Sequence, residues 1–264
     1  MYINDYWIET YGEGRPVVFL HGFTGSSQTW QSVRPFFSSY QFIVVDLPGH
    51  GYTKARVKSM KDCCEDLSRV FKEMGLELFD LVGYSMGGRT ALSFACAFPE
   101  MVRTLTLESA SPGLKVEQER IAREQRDQRL AEEIVQYPLA LFVDKWENIA
   151  LFDSQKRLPK EKRDQIREER MAQSREGLAH SLVTMGTGVM GSYWDKLERL
   201  GMPVLLVTGE WDEKFIDINK KMDELLPDSH FTTINQAGHA IHVEQTKKFG
   251  TIVEEFISKG GLSQ

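Results

Sequence analysis

Three residue types able to do nucleophilic or base chemistry stand in an order that suits them. Ser85 lies in Gly83-Tyr84-Ser85-Met86-Gly87, where the apolar run Phe79 to Val82 meets Gly-x-Ser-x-Gly and a helical pattern begins. Such a turn is tight enough to need glycine two positions on either side, and it drives the serine hydroxyl out of the sheet. A serine hydroxyl is a weak nucleophile at neutral pH. It needs a neutral imidazole to accept its proton, and that imidazole needs a carboxylate to fix its tautomer. The downstream chain supplies both: Asp212 follows the run Val204 to Trp211, and His239 sits in Gln236-Ala237-Gly238-His239. Ser, Asp, His is the chain order expected for an elbow of this kind. For Asp212 the competing reading is a helix N-cap ahead of Phe215, with Glu108 as the substitute acid.

The stretch Leu20-His21-Gly22-Phe23-Thr24-Gly25 follows the first parallel strand of the pattern. There the backbone N–H groups of Phe23 and Met86 are the expected oxyanion donors, helped by about half a positive charge at the start of the elbow helix. His242 reads as a structural histidine. His21, His50 and His180 share no H-x-x-x-H spacing, so no metal is assigned and no cofactor is expected.

These groups need elements to bring them together. Short apolar runs at Val17 to Leu20, Phe42 to Val45, Phe79 to Val82, Val102 to Leu107, Val204 to Val207 and Phe231 to Ile234 alternate with helical patterns. Alternation of this kind predicts a parallel sheet covered on both faces. Tyr6 to Tyr11 is expected as an antiparallel edge strand and about Val243 to Ile257 as the last helix. Between Ser111-Pro112-Gly113 and Trp194 the rhythm stops and the composition turns strongly charged, which predicts a helical cap over the carboxyl ends of the strands. The resulting division is a core over 1–111, a cap over 112–194 and the remaining core over 195–264.

The formal net charge of −6 offers no field that would attract nucleic acid or anionic lipid. No run approaches the ~20 apolar residues of a membrane span, and the amino terminus lacks the basic and apolar regions of a secretory signal, so a cytoplasmic protein is expected. Cys63, Cys64 and Cys96 form no C-x-x-C pair and are expected as thiols, with at least one of the first two packed in a helix.

His-Gly-Phe at 21 to 23, Asp46-Leu47-Pro48-Gly49-His50-Gly51, Gly-Tyr-Ser-Met-Gly-Gly at 83 to 88 and Gly238-His239 together resemble the α/β-hydrolase superfamily over the whole chain. Arg89, the cap arginines, Met185-Gly186-Thr187-Gly188, Ser192-Tyr193-Trp194 and Gly209 to Phe215 narrow the resemblance to the 2-succinyl-6-hydroxy-2,4-cyclohexadiene-1-carboxylate synthases of menaquinone biosynthesis. The resemblance implies an α/β-hydrolase fold with an inserted helical cap and a lyase that expels pyruvate from a polyanionic cyclohexene. It implies no cofactor, no partner beyond that small molecule, and a monomer or small homo-oligomer. Three substrate carboxylates call for arginines able to bind them in a fork. Arg89 lies one helical turn past Ser85, and Arg123, Arg170 and Trp146 match family positions in the cap, with Arg120, Arg126, Arg129 and Arg175 as rivals. Tyr84 matches a family tyrosine that helps hold a carboxylate; apolar packing is its alternative. A plain serine hydrolase, or a ligand receptor without catalysis, would use the same elbow.

Overall fold

Along Arg15–Leu20, Val17 and Phe19 point to one face of the sheet and Val18 and Leu20 to the other, and all four are fully buried. A strand of this kind must be covered on both sides, and each such side chain stabilises the fold by about 1.5–3 kcal/mol. The structure is a computed structural model that describes residues 1–261, so the last three positions of the 195–264 segment lie outside the described residues.

The strands are β1 (Tyr2–Ile3), β2 (Tyr6–Tyr11), β3 (Arg15–Leu20), β4 (Tyr40–Val45), β5 (Phe79–Tyr84), β6 (Val102–Glu108), β7 (Val204–Gly209) and β8 (Ser229–Ile234). They form one sheet in the order β1-β2-β4-β3-β5-β6-β7-β8, parallel from β4 to β8. One face packs on α1 (Met60–Glu73) and α2 (Met86–Ala97), and the other on the helices that close the chain. Ser59 starts α1 by accepting from the Asp62 N–H, and Cys63, Cys64, Leu67, Val70 and Phe71 then fall on its buried stripe. Cys63 and Cys64 are thus buried free thiols.

Two expectations need correction. Tyr6–Tyr11 is antiparallel but is not the edge, because β1 pairs outside it. The turn between them is Asn4-Asp5, both at positive φ, which is the two-residue hairpin geometry these side chains tolerate. The last helix is two: α8 (Ile241–Glu244) and α9 (Thr246–Ser258), parted at Gln245 with φ −135° and ψ 51°. The break lets α8 keep His242 on Glu108 while α9 lays Phe249, Val253 and Phe256 on the sheet.

Between β6 and β7 run α3 (Glu117–Gln136), α4 (Leu139–Trp146), α5 (Lys160–Met171) and α6 (Arg175–Met185). Helices α3, α4 and α6 share a small core of Ala131, Ile134, Phe142, Val143, Leu178, Ala179 and Leu182 that also touches Phe23. The two ends of this insertion are tied together: the Tyr193 N–H donates to the Pro112 carbonyl at 2.7 Å and the Trp194 indole to Gly113 at 2.9 Å. No helix among the described residues is long and apolar enough to cross a membrane.

Candidate active site

Ser85 occupies the single residue between β5 and α2, with φ 50° and ψ −104°. That is unfavourable backbone for a residue with a Cβ, and it persists because both neighbours are fixed. The Ser85 N–H donates to the Glu108 carbonyl at 2.9 Å, and its own carbonyl accepts from Arg89 N–H at 2.9 Å. A Cβ on Gly87 would run into the Leu20 and His21 carbonyls, and one on Gly88 would stand 2.5 Å from the Ala110 methyl. The glycines therefore let the helix start directly against β3.

Asp212 does begin α7 (Glu213–Asp223): its carbonyl accepts from the Phe215 and Ile216 N–H groups. Its carboxylate gives no cap and turns instead to His239, whose Nδ1 lies 2.7 Å from Asp212 Oδ2. His239 Nε2 is 3.0 Å from Ser85 Oγ. With the carboxylate accepting from Nδ1, Nε2 is the ring nitrogen left to take the serine proton. Asp212 and His239 are almost fully buried and the His239 ring packs on Phe215, so the chain of bonds is shielded on every side except at the serine. Glu108 is not the acid of this set. It accepts from the backbone N–H and Nδ1 of His242, both at 2.9 Å, deep under Tyr84 and Trp30.

Ser85 opens on a cavity of about 660 Å³ between the sheet edge and the insertion. Phe23 and Met86 line it near the serine, and neither of their amides donates a hydrogen bond within the chain among the described residues. Two donors without internal acceptors beside a serine are what a developing oxyanion requires.

Arg89 and Arg123 line the same cavity. Arg89 is braced by Met185 O at 2.8 Å; burial, with Arg123 nearby, lowers its pKa to about 10, and it remains a cation at neutral pH. Arg123 is oriented through Nε by Asp127 Oδ1 at 2.8 Å, which leaves its two terminal amino groups without partners among the described residues. Its rivals are occupied or turned away. Arg120 donates to the Leu114 and Lys115 carbonyls, Arg175 to Val135 and Tyr137, and Arg126 and Arg129 are exposed. Trp146 stacks on Phe142, meets Phe23 edge-on at 5.3 Å, and has a buried indole N–H with no partner among the described residues.

Arg170 is placed differently. It is buried over Phe152, donates to Gln155 at 3.2 Å, and lines an adjoining cavity of about 560 Å³ rather than the one at Ser85. Phe23, Tyr84 and Phe152 belong to both cavities and form the partition. Tyr84 lies under Gly22 and against His239, and burial raises its pKa well above the ordinary value, so the phenol stays protonated. The exposed rim of the serine cavity carries Lys115, Lys214 and Lys221, which sequence reasoning did not single out. Their only signal was proximity in sequence to Gly113 and Asp212.

Below the Gly22 loop two buried histidines are held neutral. His21 Nε2 accepts from Leu47 N–H at 2.9 Å, so its proton is on Nδ1, facing the Gly22 carbonyl. Burial, with His21 beside it, pushes His50 down to about 3. The unfolded chain takes a proton near pH 6.5, whereas the folded one resists until about 3. Stability is therefore full above pH 6.5 and falls as the pH drops below it, by about 1.4 kcal/mol per unit for His50. Urea titrations from pH 7 to 4.5 should show this loss, and His50→Asn should make it shallower while leaving the share due to His21. A wild-type stability constant over that range would contradict the neutral, buried assignment.

The chain matches the family described as alpha/beta hydrolase fold over residues 15–246. A Bacillus subtilis (strain 168) protein provisionally named 2-succinyl-6-hydroxy-2,4-cyclohexadiene-1-carboxylate synthase is 45% identical over 92% of this chain and 90% of its own length. The synthase of that name from Pectobacterium atrosepticum is 29% identical over 94% of this chain and 98% of its own. A solved structure titled MenH from S. aureus superposes with a TM-score of 0.93 at 36% identity, covering 98% of this chain and 99% of that one. With its elbow, its eight-stranded sheet and its helical insertion, the chain belongs to the α/β-hydrolase superfamily and, within it, to the 2-succinyl-6-hydroxy-2,4-cyclohexadiene-1-carboxylate synthase family.

Proposed function

We propose that this protein is the lyase that converts 2-succinyl-5-enolpyruvyl-6-hydroxy-3-cyclohexene-1-carboxylate to 2-succinyl-6-hydroxy-2,4-cyclohexadiene-1-carboxylate and pyruvate in menaquinone biosynthesis. The observation that carries the reading is a serine hydroxyl within hydrogen-bond distance of an imidazole in the same cavity as Arg89 and Arg123. A neutral ester has no use for those cations, whereas a tricarboxylate does.

Ser85 Oγ takes the proton α to the succinyl ketone as its own proton passes to His239 Nε2, and Asp212 stabilises the imidazolium. The electron pair of the broken C–H bond enters the ketone as an enolate, whose oxygen is held by the Phe23 and Met86 amides. It then shifts through the ring double bond and breaks the C–O bond to the enolpyruvyl group. The expelled enolpyruvate recovers a proton and becomes pyruvate. Arg123, with its free fork, and Arg89 bind substrate carboxylates; Trp146 and Tyr84 wall the ring, and Arg170 serves a carboxylate that reaches past Tyr84. Residues 112–194 act as the cap that shuts water out. We place the enzyme in the cytoplasm, acting on a free small molecule.

Pyruvate release from the cyclohexene, followed with lactate dehydrogenase and NADH, tests this directly. The value of kcat/KM should exceed that for p-nitrophenyl acetate, and Arg123→Ala should raise KM by roughly 10- to 100-fold, the loss of one or two charged hydrogen bonds. Ester turnover without pyruvate release would point to a serine hydrolase, for which the same triad and donors suffice.

A further inference from the structure

Glu169 sits on α5, in the insertion, yet among the described residues its side chain hydrogen-bonds only to the core. Its Oε1 accepts from the Ser26 backbone N–H at 2.9 Å, the Ser26 hydroxyl at 2.9 Å and the Thr29 hydroxyl at 2.7 Å. Three donors converging on one carboxylate oxygen make a charge-assisted clasp across the junction.

The segment so held begins with a strained turn. Gly25 N–H donates to the Gly22 carbonyl at 3.0 Å, which places Phe23 and Thr24 at the two central positions. Thr24 has φ +69°. The third position of such a turn normally falls to glycine, because a β-branched side chain is crowded there. A turn of that kind persists only where its surroundings over-determine it.

The surroundings can be named. The Tyr84 ring fills the space beneath Gly22, where a Cβ would stand 2.6 Å from Cε1. On the far side Gly25 is close-packed on Thr29 Oγ1, one of the hydroxyls that Glu169 grips. The remaining constraint comes from the roof. α5 and its neighbour are seated by Gln173, which accepts the Gly51 N–H at 3.0 Å, and by Gly177, whose backbone meets Gly49 with no room for a side chain on either.

We propose that Glu169 is a positioning residue: from the roof of the site it holds the Gly22–Gly25 turn so that the Phe23 amide faces the reacting oxygen only while α5 is seated on the core. The next residue, Arg170, looks into the cavity that Phe23 and Tyr84 share. The inference rests on the assignment of Phe23 as a donor in the reaction proposed above.

Glu169→Ala, Glu169→Asp and Glu169→Gln should be compared in the full chain for pyruvate release, thermal melting, and the rate at which a fluorophosphonate labels Ser85. Labelling also draws on the oxyanion donors but needs no knowledge of the substrate. Alanine removes the acceptor and aspartate falls one methylene short; each should lower kcat about tenfold or more, with KM within about twofold and an equal slowing of labelling. Glutamine keeps an acceptor oxygen in place and should restore both rates to within about threefold. Should the alanine variant not fold, the aspartate variant, which keeps the charge, carries the test. Unchanged kcat and labelling in a folded alanine or aspartate variant would overturn the proposal, as would a rise in KM alone. A wild-type protein that releases no pyruvate while the labelling pattern holds would instead overturn the lyase reading and leave the role of Glu169 standing.

Discussion

Ser85→Ala is expected to lower kcat for pyruvate release about 10³-fold, the middle of the range for a lost proton-transfer group, while KM stays within about twofold. The elimination forms no acyl-enzyme, so the serine is needed only as the atom that meets the carbon-bound proton. His239 Nε2 is held 3.0 Å behind Ser85 Oγ, and removing the hydroxyl leaves a gap that a water molecule fills poorly as a base. The substitution is nearly neutral for folding: the serine side chain makes no other hydrogen bond among the described residues, and alanine relieves little of the positive φ. Steady-state pyruvate release with a parallel thermal melt checks both halves. Near-normal turnover in the folded variant would remove Ser85 from the mechanism.

Asp212→Asn is the second large effect, and Glu108→Gln is its control. Asparagine can donate toward His239 Nδ1 and so favours the tautomer whose Nε2 carries the proton and cannot accept one from Ser85. A fall in kcat of about 10³- to 10⁴-fold follows, with little change in melting temperature. Glu108 bonds to His242 and not to the imidazole beside the serine. Glutamine there puts an amide N–H against another N–H and should cost about 1–3 kcal/mol of stability while pyruvate release stays within severalfold. One carboxylate serves the reaction and the other the fold, and urea denaturation set beside kcat for the two variants separates them. Comparable losses of kcat in both would mean that the acid has been misassigned.

Strands β3, β4 and β7 were legible because both of their faces are buried, so Val, Ile, Leu and Phe run on with few polar residues, whereas β6 alternates Thr with Leu and β8 is mostly polar and only part-buried. The triad residues were legible because each follows a strand closely, and parallel strands deliver their carboxyl ends to one edge. The pairing of Asp212 with His239 was read from chain order, but the rotamer that makes it was not. That the Asp212 carbonyl caps a helix while its carboxylate reaches a histidine depends on a torsion that residue types do not encode. Arg123 was singled out by its match to a family position, and the structure adds that nearby carbonyls hold Arg120 and Arg175. The exposed lysines at the rim, the second cavity at Arg170 and the grip of Glu169 on Ser26 all join segments far apart in the chain, and helix periodicity is silent about such meetings. The hairpin at Asn4-Asp5 did have a local signal, since those two side chains are among the few that accept positive φ in succession.

Because Pro112 and Gly113 are hydrogen-bonded to Tyr193 and Trp194, the excursion leaves the sheet and returns to it at a single closed neck. The neck fixes where the excursion joins the strands, while Glu169, Gln173 and Gly177 seat it on the core at further points. Splicing a different set of helices onto the same two anchor points would present the same serine and imidazole to a new class of molecule. The neck thus lets the recognising roof be remodelled apart from the strands, provided the grip of Glu169 on Ser26 and Thr29 is kept.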